Sequence, residues 1–320
     1  MKNIAIVGCG YWGKNLIRNF YELGSLKGIY DIDIEQTKIL ASQYKDLVVY
    51  NELKDVLVDN DIEGVVISIP VEEHLHVALT CLMFDKHIFV EKPMTSNLKE
   101  ANVLYNLVET SKKICLVGHV MEYHPAIIKL RQIIKNGIIG DVKEIYSHRL
   151  NAGKIRQFEN VWWSFAPHDV LLFLNTINSD VQYLECIGAD YCNRNIFDST
   201  ITSFKFANGC FGHIYVSWMH PFKLHRFVVI GTKGAIEFND SDKDNKLRLY
   251  SNKVITENGV GIEKGEYTII PFDNQEPLKE ECKDFIDSIR NNTRPRSSHI
   301  EGRKVIEILE NAMKCVKKQI

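Results

Sequence analysis

At 320 residues the chain is longer than one hydrophobic core usually serves, so two domains are expected. Apolar residues make up 45% and charged residues 25%, an ordinary globular balance that excludes wholesale disorder. The formal net charge of -2 offers no basic excess, and no run reaches the roughly 18 apolar residues of a membrane helix, so neither nucleic acid nor membrane is an expected partner.

The chain opens with a short apolar strand at 3–7 that runs into glycines. This run is too short for a signal-peptide core. The eight cysteines form no Cys-x-x-Cys pair, which points to small buried hydrophobes in a reducing, cytoplasmic compartment and to no metal site. Helical spacing follows at 11–23, with Leu16, Phe20 and Leu23 on one face. Strands are then expected at 26–31, 64–69, 87–90 and 114–117, and helices at 35–44, 74–84 and 97–111. Apolar strands separated by helices imply a parallel sheet covered on both faces. The first domain is therefore a doubly wound α/β unit, residues 1–120.

From residue 121 to 320 the pattern changes. Helices are expected at 124–136 and 167–178, with a strand at 142–150 between them. Strand-like runs follow at 181–191, 199–206, 210–218, 224–230, 235–239 and 247–250, with Asn208-Gly209 as a hairpin turn. Helices at 276–290 and 299–317 close the chain. Consecutive strands predict an α+β domain with a large, mostly antiparallel or mixed sheet. An uncovered face of that sheet would expose Phe206, Phe211, Tyr215 and Trp218, and such a patch predicts a homodimer or homotetramer.

Three motifs carry chemistry. Gly8-Cys9-Gly10-Tyr11-Trp12-Gly13 is a G-x-G-x-x-G fingerprint between a strand and a helix. Gly8 permits the tight turn, Gly10 lets a pyrophosphate approach, and Gly13 allows close helix–strand packing, with Tyr11 and Trp12 in the same loop. Asp31 ends the next strand and can accept from the adenosine ribose hydroxyls. Its charge would repel a 2'-phosphate, so NAD is expected over NADP, and Asp33 adds a second charge nearby.

The second motif, Glu91-Lys92-Pro93, ends the strand at 87–90, at the sheet edge where ligands bind. Lys92 can hydrogen-bond a reacting hydroxyl and stabilise the alkoxide that forms as hydride leaves. Glu91 can neutralise or orient it, and Pro93 can adopt a cis bond. In the third, Trp163 to Asp169, His168 suits removal of an alcohol proton because its ordinary pKa lies near working pH.

Glu91-Lys92-Pro93 behind the fingerprint resembles the signature of the Gfo/Idh/MocA oxidoreductases. The segment from Val65 to Pro70, with Ser68, followed by His74, is similar to the family's strand beside the nicotinamide, with Ile69 in place of the usual Thr. Gly118-His119 and Tyr123-His124-Pro125 resemble the opening of its second domain. The resemblance implies a Rossmann domain, an NAD-dependent reaction on a sugar-like alcohol, and Lys92 and His168 as the catalytic pair. Ser164 stands where many members carry the Asp that pairs with the His. Cofactor contacts are implied for Gly8, Gly10, Tyr11, Trp12, Gly13, Asp31, Ser68, Pro70, His74, Glu91, Lys92 and Trp163. Tyr123, Arg156, Asn160 and Asp169 are weaker substrate candidates. The Trp-x-x-x-Pro-His-Asp form resembles a branch that oxidises the 3-hydroxyl of UDP-N-acetylglucosamine-type sugars or their uronic acids. A free sugar or inositol, a ketosugar reduced in the opposite direction, and a non-catalytic NAD-binding regulator stay open as alternatives.

Overall fold

The computed structural model describes residues 2–153, 155–192, 194–255 and 261–318. They form two compact units, Met1–Tyr123 with Gln275–Glu307, and His124–Asn274 with Ile308–Ile320.

In the first unit the strands are β1 (Ile4–Val7), β2 (Leu26–Tyr30), β3 (Val48–Val49), β4 (Gly64–Ile67), β5 (His87–Glu91) and β6 (Cys115–Gly118). The helices are α1 (Gly13–Glu22), α2 (Ile34–Ala41), α3 (Leu53–Val58), α4 (His74–Met83) and α5 (Leu98–Ser111). All strand pairs are parallel, in the order β3-β2-β1-β4-β5-β6. Every residue of β1, β4 and β6 is buried, as apolar strands covered on both faces require. Leu16, Ile17 and Phe20 of α1 lie in one core with Ile4, Ile6 and Phe89. The sequence signals gave no hint of β3 or α3: two strand residues carry no period, and α3 is held by a capping box between Glu52 and Asp55. The strand order reverses between β1 and β4, so the ligand-binding crevice opens at their C-terminal ends.

In the second unit α6 (Pro125–Lys135) is capped by His124, whose side chain accepts from the Ala126 amide. There follow β7 (Val142–Ala152), α7 (Val161–Ile177), β8 (Val181–Ala189), β9 (Ser199–Phe206), β10 (Phe211–Ser217), β11 (Met219–Gly231), β12 (Ala235–Asn239), β13 (Leu247–Tyr250), β14 (Lys253–Ile255), β15 (Gly261–Glu263), β16 (Tyr267–Ile269) and β17 (Lys317–Lys318). Among the described residues nine of them form one mixed sheet, β16-β13-β12-β11-β7-β10-β9-β8-β17. Phe173 of α7 packs against Phe204 and Phe227 on one face of it, with ring centroids 5.6 and 5.9 Å away.

Two expectations need correction here. Helix α7 starts at Val161, not at residue 167. Pro167 resembles a first-turn proline, but the cap is Asn160, which accepts from the Trp163 amide, and Pro167 lies inside the helix. The open sheet face carries Tyr183, Ile187, Ile201 and Phe211, each exposed, while Phe206 and Trp218 are buried. Alternation along β9 turns Phe204 and Phe206 inward together, and the Trp218 indole donates to Asp198.

Chain order alone assigns both C-terminal helices, α8 (Pro277–Asn291) and α9 (His299–Lys314), to the second domain. Instead α8 belongs to the first unit, because Leu278, Cys282 and Phe285 fill the same core as β1 and α1. No helix among the described residues is long and apolar enough to cross a membrane.

Candidate active site

The fingerprint loop is built by close approach. Gly8 has a positive φ of 99°, and a Cβ there would stand 2.2 Å from the Ser68 carbonyl oxygen. A Cβ on Gly13 would stand 2.1 Å from the Gly8 carbonyl oxygen, so α1 meets the strand directly. Gly10 differs: its φ is ordinary and nothing lies within 4 Å of the place its Cβ would take. Nothing in the protein demands glycine there. The open cradle above it, at the start of a helix, fits a dinucleotide pyrophosphate.

Asp31 supports this loop as well as facing solvent. One oxygen accepts from the Cys9 amide at 2.6 Å and the other from the Asp33 amide at 3.0 Å. Asp33 caps α2 by accepting from the Gln36 amide. Tyr11 is 89% exposed, whereas Trp12 turns back and its Nε1 donates to Glu91 Oε1 at 2.5 Å.

Glu91 is buried, and its Oε2 also accepts from the Lys92 amide at 3.1 Å. Burial pushes its carboxyl up to about 7, while the Lys92 ammonium and the Trp12 indole pull the other way. The Lys92 side chain is half-buried, and the Lys92–Pro93 bond is cis. His119 is fully buried, which together with Lys92 pulls its imidazole down to about 3, so it is neutral at physiological pH. Ser68 is half-buried and Pro70 exposed beside the loop.

His74 is 1% exposed, with each ring nitrogen 3.0 Å from a carbonyl, that of Pro93 or of Ile69. It clamps the two segments that flank the site and has almost no surface to offer a cofactor, contrary to the contact expected of it. Tyr123, expected near substrate, is likewise buried, and its hydroxyl donates to Asp284 at 2.7 Å.

In the second unit Asn160, Trp163, Ser164 and His168 lie in the first turns of α7. Ser164 and His168 are one turn apart on the same face. Trp163 and His168 are half-buried. Asp169 is not open to a ligand: it is 1% exposed, receives Arg149 through both carboxylate oxygens at 2.6 and 3.1 Å, and accepts from Ser147 at 2.6 Å. Arg156 is exposed, with its carbonyl accepting from Arg194. Asn160 is a helix cap rather than a free amide.

The partners of these groups went unseen in the sequence. Arg149 and Glu281, which bear on Asp169 and Glu91, lie far from them in the chain and belong to no local motif, and Gly118, noted only as part of Gly118-His119, gave no sign that it faces Glu91.

The fold and the fingerprint loop define a dinucleotide-binding enzyme of the doubly wound class. Residues 2–119 match the oxidoreductase family described as GFO/IDH/MocA, NAD-binding Rossmann fold, and residues 127–237 match the GFO/IDH/MocA C-terminal domain. The chain belongs to this family, and residues 2–119 are its NAD-binding domain. It is 21% identical to the UDP-N-acetylglucosamine 3-dehydrogenase of Acidithiobacillus ferrooxidans, over 94% of this chain and 93% of that one. It is 20% identical to the 2,7-anhydro-N-acetylneuraminate hydratase of Escherichia coli, over 78% of this chain and 70% of that protein. The solved structure of the Acidithiobacillus enzyme superposes with a TM-score of 0.85 at 20% identity, covering 98% of this chain and 97% of that one. A levoglucosan dehydrogenase in complex with NADH superposes with a TM-score of 0.84 at 18% identity, covering 98% and 96%.

Proposed function

We propose that the protein oxidises a sugar hydroxyl to a ketone, and that its substrate is the 3-hydroxyl of a nucleotide-activated sugar such as UDP-N-acetylglucosamine or its uronic acid. The observation that carries the reading is the link from Trp12 in the fingerprint loop, through Glu91, to the backbone of Lys92. It ties a lysine suited to alkoxide stabilisation to the cofactor loop. Bound NAD supplies the acceptor for the hydride. Lys92 donates to the reacting oxygen and stabilises its developing negative charge. His168 accepts the hydroxyl proton as the carbon–oxygen double bond forms. Trp163 and Arg156 are kept as candidate contacts for cofactor or substrate. The nucleotide-sugar assignment draws on the Acidithiobacillus relative, with which this chain aligns over nearly its whole length.

The test is mass spectrometry after incubation with NAD, UDP-N-acetylglucosamine or its uronic acid, glutamate and a matched sugar aminotransferase. The expected product carries a new amino group. Its absence, with NAD bound by calorimetry, rejects these substrates in favour of free polyols or ketosugars.

Asp31 is the basis for NAD over NADP. Substituting Asp31→Ser should lower the NAD-to-NADP ratio of kcat/KM by roughly tenfold or more, because the charge opposing a 2'-phosphate is gone. An unchanged ratio would contradict that role, even if both cofactors bind more weakly through loss of the Cys9 amide contact.

The exposed face with Tyr183, Ile187, Ile201 and Phe211 supports a homodimer or homotetramer. Light scattering that gives a monomer at micromolar concentration would sink this assignment.

A further inference from the structure

The Glu91 carboxylate occupies a space that exists because residue 118 has no side chain. Glu91 pairs with Gly118 across the β5–β6 ladder. A Cβ at Gly118 would lie 2.8 and 2.9 Å from the two carboxylate oxygens and 2.9 Å from the carboxyl carbon. The backbone of Gly118 has no positive φ, so torsional freedom does not account for the glycine. Space does.

The carboxylate is held on its other sides too. Trp12 and the Lys92 amide donate to it. Glu281 on α8 is completely buried and close enough for its charge and that of Glu91 to oppose each other. Neither Glu281 oxygen accepts a hydrogen bond from any described residue. Burial and the neighbouring carboxylates, Glu91 and Asp284, push the Glu281 carboxyl well above its ordinary range. Tyr123 and Cys282 face it as well, and neither is a cation. A Glu91 carboxylate displaced toward Glu281 would therefore approach a second buried carboxyl group rather than open solvent.

We propose that Gly118 is a positioning residue for Lys92: its bare Cα seats the Glu91 carboxylate, which in turn joins the Trp12 indole to the Lys92 backbone. The inference rests on the reading of Lys92 as the group that holds the reacting oxygen. A methyl group at 118 forces the carboxylate out by roughly half an ångström or more, because packed interiors have no slack to absorb it. The bond from Trp12 then lengthens, and Lys92 shifts with its amide. Misplacement on this scale costs up to about a hundredfold in rate. Loss of the Trp12 hydrogen bond, which favours the ionised form, moves the titration of Glu91 to higher pH.

The experiment compares wild type, Gly118→Ala, Glu91→Ala and the double variant. In the cofactor-free Gly118→Ala protein the Trp12 indole N–H resonance should move. Its kcat should fall roughly tenfold to a hundredfold, with the KM for sugar changing less than about threefold. The limb of its pH–rate profile that reports Glu91 should shift upward. In the Glu91→Ala background the same substitution should change kcat and melting temperature little, since the obstructed group is absent. Equal losses in both backgrounds would overturn the proposal, as would a Trp12 resonance and kcat that match wild type. Should Gly118→Ala alone fail to fold, a folded double variant supports the seat and an unfolded one contradicts it. If wild type oxidises no sugar, the functional reading fails separately, while the Trp12 resonance and the stability cycle still decide this one.

Discussion

Replacing Lys92 with alanine is expected to lower turnover by roughly a thousandfold while NAD still binds. The reason lies in what each partner does without the ammonium group. An alkoxide forming as hydride leaves would lose its nearest donor, and water supplies a poorer one because it is not held in place. Glu91 would lose the cation that holds its carboxyl down, so burial would push it further up and leave it neutral over a wider pH range. The fingerprint loop is joined to Glu91 through the Trp12 indole, and that bond does not pass through the lysine ammonium, so cofactor affinity should change little. Single-turnover formation of NADH and calorimetric titration with NAD separate the two effects. A variant that keeps most of its turnover would remove Lys92 from the chemistry.

Substituting Asp169→Ala is expected to destabilise the protein by about 3–5 kcal/mol, read from the urea midpoint. Asp169 is 1% exposed and meets Arg149 through two hydrogen bonds, with Ser147 as a third donor. Removing the carboxylate strands a largely buried guanidinium, and that uncompensated charge is the costly outcome. Replacing Arg149 and Asp169 together by apolar residues of similar size should cost less than the single change. The pair also anchors α7 one residue from His168, so the variant should lose activity along with stability. Equal costs for single and double replacement would show that the pair does not act as a unit.

Much of the first unit was legible because its signals are local. β1, β4 and β6 are apolar from end to end, and the fingerprint and Glu91-Lys92-Pro93 fall on contiguous residues beside them. The short β3 and α3 lack enough residues to show a period. Pro167 misled because first-turn and interior prolines look alike until the cap at Asn160 is seen. Phe206 and Trp218 looked like candidates for the open face, but the alternation that buries Phe206 depends on strand register, which composition does not fix. Asp169 reads as a polar neighbour of His168, and only the fold brings Arg149 and Ser147 to it. Helix α8 is legible as a helix, yet its place in the first unit depends on the apolar face of Leu278, Cys282 and Phe285 meeting a core formed far earlier in the chain.

The central claim, hydride transfer from a nucleotide-activated sugar, is tested most directly with UDP-N-acetylglucosamine deuterated at C3. The protein is incubated with this sugar and NAD, and both products are weighed by mass spectrometry. The account predicts one deuterium on the reduced cofactor and a 3-keto sugar lacking it. An unlabelled cofactor beside intact sugar, with both ligands shown to bind, would contradict it.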